Sequence, residues 1–199
     1  MYRQTVVIEE LDPKGAVRGF YREVREVIFT PEGKRIEQLR GKPFSSLHRL
    51  ILTEEDFRDI REVQPLLLTE DKLWLYEFKL RGEEEIDGRS CHVLMIRPRQ
   101  ILEGQRLFEG LLWVEKETYA TIRMAGQAVP QIHSKRRENL FPHFTTVRWL
   151  IDGVHWFPIL THGDDTLEFS TGGQRIRLRI EYADYKRFTA ESEVKYEGR

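Results

Sequence analysis

The sequence predicts a mainly β protein: a large curved antiparallel sheet forming a half-open, incomplete barrel, with one or two short helices covering its concave side. Three observations predict it. Strand-like segments at 144–151, 154–161, 166–170 and 174–182 are separated by Asp152-Gly153 and Gly172-Gly173. These dipeptides tolerate φ > 0 at both central positions of a type I′ hairpin turn. Asp87-Gly88 repeats the device between 74–82 and 90–97. Helix signals, by contrast, are confined to one stretch near residues 53–72.

Taken in order, residues 4–11 and 16–29 read as a long hairpin closed by Asp12-Pro13-Lys14-Gly15, residue types that favour tight turns. Thr30-Pro31-Glu32-Gly33 turns the chain into a strand at 34–40. A helix is predicted over 53–62: Thr53 is an N-cap residue type, acidic residues fill the first turn, and Phe57, Ile60 and Val63 make an apolar stripe. Gln64-Pro65 ends it, and Thr69-Glu70-Asp71-Lys72 starts a shorter one. From Trp74 onward the pattern is all strand. Trp74, Tyr76, Phe78 and Leu80 share one parity; so do His92, Leu94 and Ile96, then Phe108, Gly110, Leu112 and Val114. A strand at 119–128 follows, and 129–143 reads as a long irregular loop carrying Lys135-Arg136-Arg137. Thr161-His162-Gly163-Asp164-Asp165 reads as a turn. About ten antiparallel strands result, and a twisted sheet of that size must curl or close. Without repeats, linkers or low-complexity tracts, residues 1–199 are expected to form a single domain.

Composition narrows the function classes. Lys plus Arg (32) nearly balance Asp plus Glu (33), so no overall field favours nucleic acid or an anionic membrane. Charges alternate along strands, as at Arg175, Arg177, Arg179 and Glu181, the mark of a solvated sheet face. No apolar run is long enough for a membrane-spanning helix, and there is no signal peptide. The chain is in a strand pattern by Thr5-Val6-Val7-Ile8, which predicts that any signal or lipid anchor lies upstream of this segment.

Motifs for chemistry are sparse. Cys91 is the single cysteine, so no disulfide or thiolate zinc cluster forms within the chain. Its neighbour His92 points to the other face of a strand, which argues against a Cys-His nucleophile. His133, His143, His155 and His162 lie near Asp164 and Asp165 in sequence but lack zinc-site spacing. No nucleophile elbow, P-loop or dinucleotide fingerprint occurs. Neither cofactor nor metal is expected, and a binding protein is favoured over an enzyme. Trp113 and Trp149 are candidates for stacking with arginines on the convex face, Trp74 and Trp156 for core or pocket wall.

Two segments resemble exported bacterial proteins of the outer-membrane lipoprotein-sorting type. They are Glu138-Asn139-Leu140-Phe141-Pro142-His143-Phe144-Thr145-Thr146 and Ile151-Asp152-Gly153-Val154-His155-Trp156-Phe157-Pro158. Phe108-Glu109-Gly110-Leu111-Leu112-Trp113-Val114-Glu115 is similar to that group's "F-x-G-x-x-W-V-D" strand. Thr53-x-Glu55-Asp56 before Val63-Gln64-Pro65, Asp164-Asp165-Thr166-Leu167 and Tyr182-x-x-Tyr185-Lys186-Arg187-Phe188 extend the match over nearly the whole chain. More distantly the group resembles the periplasmic lipoprotein carriers with a LolA/LolB-like fold, incomplete barrels holding acyl chains in their concavity.

The resemblance implies a periplasmic, non-enzymatic protein that holds a lipid or lipoprotein acyl chain on its concave apolar face. Shared strand parity selects the ligand-binding candidates Trp74, Tyr76, Phe78, Leu94, Ile96, Phe108, Leu112 and Val114. Phe57 and Ile60 join them from the helix. An envelope protein-protein interaction module with a filled core, binding a partner through its convex face or the 129–143 loop, is the alternative. A hydrolase using the His162–Asp165 turn is a third reading.

Overall fold

Asp12 closes the first hairpin by accepting hydrogen bonds from the backbone of Lys14 and Ala16, both at 2.9 Å. This fixes the register of β1 (Tyr2–Leu11) against β2 (Val17–Phe29). The computed structural model describes residues 1–30, 34–66, 68, 70–134 and 137–187. The short strands β3 (Arg35–Leu39) and β4 (Phe44–Ser45) both pair with β2. A helical segment follows: α1 (Glu54–Arg58), a π-helical turn (Asp59–Val63) and α2 (Glu70–Leu73). The remaining strands are β5 (Tyr76–Ile86), β6 (Arg89–Pro98), β7 (Leu107–Glu115), β8 (Thr121–Val129), β9 (Ile132–Ser134), β10 (Arg137–Asn139), β11 (Phe144–Ile151), β12 (His155–Phe169) and β13 (Gly172–Ala183).

All except β9 and β10 join one antiparallel sheet of eleven strands, in the order β3-β2-β1-β13-β12-β11-β8-β7-β6-β5, with β4 also on β2. The sheet does not close: β3 and β5 are its two edges. Antiparallel pairing carries one face across the molecule in register. Leu80, Leu94, Leu112, Met124, Thr146, Thr161, Ile180, Val6 and Glu23 lie opposite one another in succession on nine strands. This face curls around the helical segment, so Ile60, Val63 and Leu66 share a core with Val6, Ile8, Phe108, Met124, Phe144 and Ile180. A smaller cluster of Ile86, Cys91, Val93, Trp113 and Ile122 packs apart from it.

Two expected hairpin turns form where the sequence places them. Asp87 and Gly88 have φ of 51° and 75°, and Asp152 and Gly153 have 53° and 71°, the paired positive angles of a type I′ turn. The Gly172-Gly173 turn forms two residues earlier, at Ser170-Thr171, and Gly172 already pairs with Phe169. Arg49 holds this turn by donating to the carbonyls of Thr171, Gly172 and Gly173.

The expected turn at 161–165 is instead the middle of β12, which runs unbroken through it. A Cβ on Gly163 would stand 2.2 Å from the His143 carbonyl oxygen, so glycine serves close chain approach there. Asp164 takes a bidentate bond from Arg175, and Asp165 accepts from the His143 backbone at 3.1 Å. The 129–143 loop contains the β9-β10 hairpin; of its basic run, Lys135 and Arg136 lie outside the described residues.

Candidate functional site

The helical segment is too short to be stable alone and is fixed by its ends. Thr53 caps α1 in a capping box with Asp56, whose carboxylate accepts from the Thr53 backbone at 2.7 Å. One helical turn later Asp59 forms an almost fully buried ion pair with Arg106, from the loop before β7. The carbonyls at the segment's far end lack partners within the helix and are met by the sheet. Arg35 donates to Arg61 at 2.9 Å, Thr146 to Gln64 at 2.9 Å, and Arg148 to Pro65 at 2.6 Å and to Leu66. Burial pushes the Arg148 guanidinium below its ordinary pKa, with only tyrosines opposing the shift. This segment is therefore a fixed cover, tied to β3, to β11 and to the loop before β7.

The ligand-binding candidates taken from strand parity and from the helix divide into three groups. Ile60, Tyr76, Ile96, Phe108 and Leu112 are buried in the main core. Phe57, Leu94 and Val114 are partly buried against it, with the Phe57 ring 5.9 Å from Tyr21. Phe78 and Trp74 are exposed, by 40% and 69%. Trp74 does not stand on β5: it lies in the turn after α2, because that helix takes up residues through Leu73. The alternation that grouped it with Tyr76 thus starts two residues too early.

What parity brings together is an apolar strip at the β5 end of the curled face. Leu80, 59% exposed, stands opposite Leu94, and Phe78 opposite Ile96; Val114 lies on the next strand. The strip continues the core, Leu94 facing Leu112 and Leu112 facing Met124, and at its outer end Phe78 and Leu80 are exposed. Charged side chains close its lower rim: Lys116 bonds Glu83 at 2.5 Å, with His92 3.5 Å from the same carboxyl group. Lys116 holds Glu83 below the usual carboxylate range. Phe78 also borders an outward-facing cleft of about 570 Å³ formed with Glu77, Lys79, Arg81, Met95 and two further arginines. Leu80, not among the expected binding residues, is the most exposed member of the strip; the parity it shares with Tyr76 and Phe78 was the available signal.

The glycine pair beneath the strip explains the Phe-x-Gly pattern. Gly110 and Gly126 face each other across β7 and β8, and the Phe108 ring lies over both. A Cβ on Gly110 would come 2.2 Å from the Ala125 carbonyl oxygen and 2.8 Å from the Phe108 ring.

The histidines and the cysteine stand apart from the strip. His143 bonds Asp165 at 2.8 Å and His155 bonds Asp152 at 3.2 Å, both near the surface, while His162 stands opposite Arg179. No group of three or more metal-ligating side chains occurs among the described residues. Cys91 is fully buried in the smaller core cluster, and burial pushes its thiol pKa up. Among the described residues no helix is long and apolar enough to cross a membrane.

No protein-family model matches this chain, and no curated protein is similar to it. Solved structures of similar architecture include a DUF1329 family protein from Desulfovibrio piger, 17% identical over 92% of this chain and 84% of that one, with a TM-score of 0.43. A LolA superfamily protein, NE2245 from Nitrosomonas europaea, is 15% identical over 96% and 87%, TM-score 0.38. A domain described as an outer membrane lipoprotein-sorting protein from Vibrio parahaemolyticus is 11% identical over 92% and 83%, TM-score 0.41. The likeness to these proteins is one of fold.

Proposed function

We propose that this chain is a non-enzymatic binding protein of the bacterial envelope that holds an acyl chain of a lipid or lipoprotein along the strip Phe78-Leu80-Leu94-Val114. The observation that carries this reading is the uneven cover of one continuous apolar face. From β7 to β1 the face belongs to the main core that includes Ile60 and Val63 of the helical segment, whereas at β5 the same rows end in the exposed Phe78 and Leu80, beside the half-buried Leu94 and Val114. Contiguous exposed apolar surface beside a polar rim is the usual setting of a hydrophobic ligand site. Each methylene buried there contributes about 0.8 kcal/mol, so even a shallow groove gains several kcal/mol from a long chain. Ile60, Ile96, Phe108 and Leu112 form the floor and its support, and Phe57 the border of the lid. The reading makes this segment a single domain that works in the periplasm.

The test is native mass spectrometry of protein purified from a bacterial host, followed by organic extraction and by incubation with phospholipid. A bound species of lipid mass is expected. Leu80→Glu, at an exposed position, is expected to lose it while the far-ultraviolet circular dichroism stays unchanged. A clean apo mass under all conditions, or full lipid occupancy in Leu80→Glu, overturns the proposal.

A further inference from the structure

A second site lies where the β5–β6 hairpin approaches the β11–β12 hairpin, and it shares no residue with the apolar strip. The cleft between them has a volume of about 190 Å³. That is room for roughly six waters at liquid density, or a small organic molecule. Three arginines line it, Arg89, Arg123 and Arg148, against one carboxylate, Asp87. Among the described residues none of the three guanidiniums has an ion-pair partner. Arg148 spends one nitrogen on the Pro65 and Leu66 carbonyls, while its Nε and the Nε of Arg123 are buried without any hydrogen-bond partner.

Several other guanidiniums of the molecule meet carboxylates. Arg175 has Asp164, Arg97 has Glu77, Arg25 has Glu23 and Glu37, and Arg106 has Asp59. The buried, unbonded Nε donors of Arg123 and Arg148 carry a desolvation cost that a bound anion would offset. The site is also preorganised. Arg89 stands over the Trp156 ring at 5.1 Å, and Arg123 over Trp113 at 5.9 Å. Trp156, packed against the smaller core cluster, is a flat apolar residue of the cleft lining. A guanidinium fork matches a carboxylate in plane and in spacing, and Trp156 suits a flat apolar body next to it.

We infer that this cleft binds a small amphipathic carboxylate, its charged end on Arg89, Arg123 and Arg148 and its flat apolar body against Trp156. Inorganic anions satisfy the arginines only, and neutral aromatics satisfy Trp156 only. The inference does not depend on the strip taking a lipid.

The whole chain is titrated with phenylacetate, with its neutral isostere phenylacetamide, and with inorganic phosphate, reading tryptophan fluorescence and the indole N–H resonances. Saturable binding of phenylacetate that moves the Trp156 resonance is expected. The amide is expected to bind at least about tenfold more weakly, as suits loss of a charge-assisted pair. Arg123→Gln should weaken phenylacetate to a similar degree. Because Arg123 also packs on Trp113, the exposed Arg89→Gln serves as the variant whose folding is not in question. No phenylacetate binding, equal affinity for the amide, or an unchanged Arg89→Gln overturns the inference. Phosphate binding as tight as phenylacetate refutes the amphipathic part and leaves an inorganic anion site in its place.

Discussion

At the scale of single residues, glycine and phenylalanine in β7 act as one unit. Gly110 lets β7 and β8 approach until a Cβ would overlap the Ala125 carbonyl, and the Phe108 ring covers the gap left by the two missing side chains. Gly110→Ala is therefore expected to force the strands apart and to destabilise the protein by about 2–3 kcal/mol, in the range of overpacked core sites. Urea unfolding measures it, and a change below about 0.5 kcal/mol, the scatter of neutral surface changes, would contradict this account. The spacing of Phe108 and Gly110 was plain in the sequence, but the partner Gly126 lies on another strand and no local signal joins the two. Trp74 shows the opposite failure. Its parity fitted β5, and only the turn that ends α2 removes it from the strand.

Among the elements, the helical segment is the one whose stability comes from elsewhere. Its start was legible because a capping box is local chemistry: Thr53 and Asp56 are three residues apart and satisfy each other's backbone. The change to a π-helical turn after Arg58 was not legible, since the Asp59 bond to Arg106 spans 47 residues. Here burial pushes the Asp59 carboxyl pKa up, while the Arg106 guanidinium opposes it. Removing one member of such a pair leaves an uncompensated charge, which costs about 3–5 kcal/mol. Arg106→Ala is expected to lose stability on that scale, and Asp59→Asn with Arg106→Met together much less. Unfolding curves for the single and paired variants decide this. Equal losses in both would mean that the pair holds nothing beyond its own packing. Hairpins were the most legible elements, because Asp-Gly turns carry their own φ requirement. The stretch 161–165 misled for a related reason: glycine and aspartates that mark turns locally are used in β12 for close approach and cross-strand pairing.

For the molecule as a whole, an open sheet must protect two edges. Edge strands expose unpaired backbone groups and invite pairing with another chain unless charge or irregularity prevents it. At β3 the edge is short and carries Arg35, Glu37 and Gln38. At β5 it is eleven residues long, and a bulge between Leu80 and Gly82 breaks its register. Lys79, Arg81, Glu83, Glu84 and Glu85 place charge along it, next to the apolar strip that includes Phe78 and Leu80. These charges let the strip stay exposed without recruiting a second sheet. Substituting Lys79, Arg81 and Glu85 together by Thr keeps strand propensity but removes that protection. The triple variant is expected to associate as its concentration rises, with growing β signal, in size-exclusion chromatography with light scattering. Adding Leu80→Glu to the triple variant restores charge on the strip and should return the protein toward a single small species. If the triple variant keeps the wild-type elution profile at every concentration, edge charge is not what keeps this half-open sheet from pairing, and the bulge alone must do so.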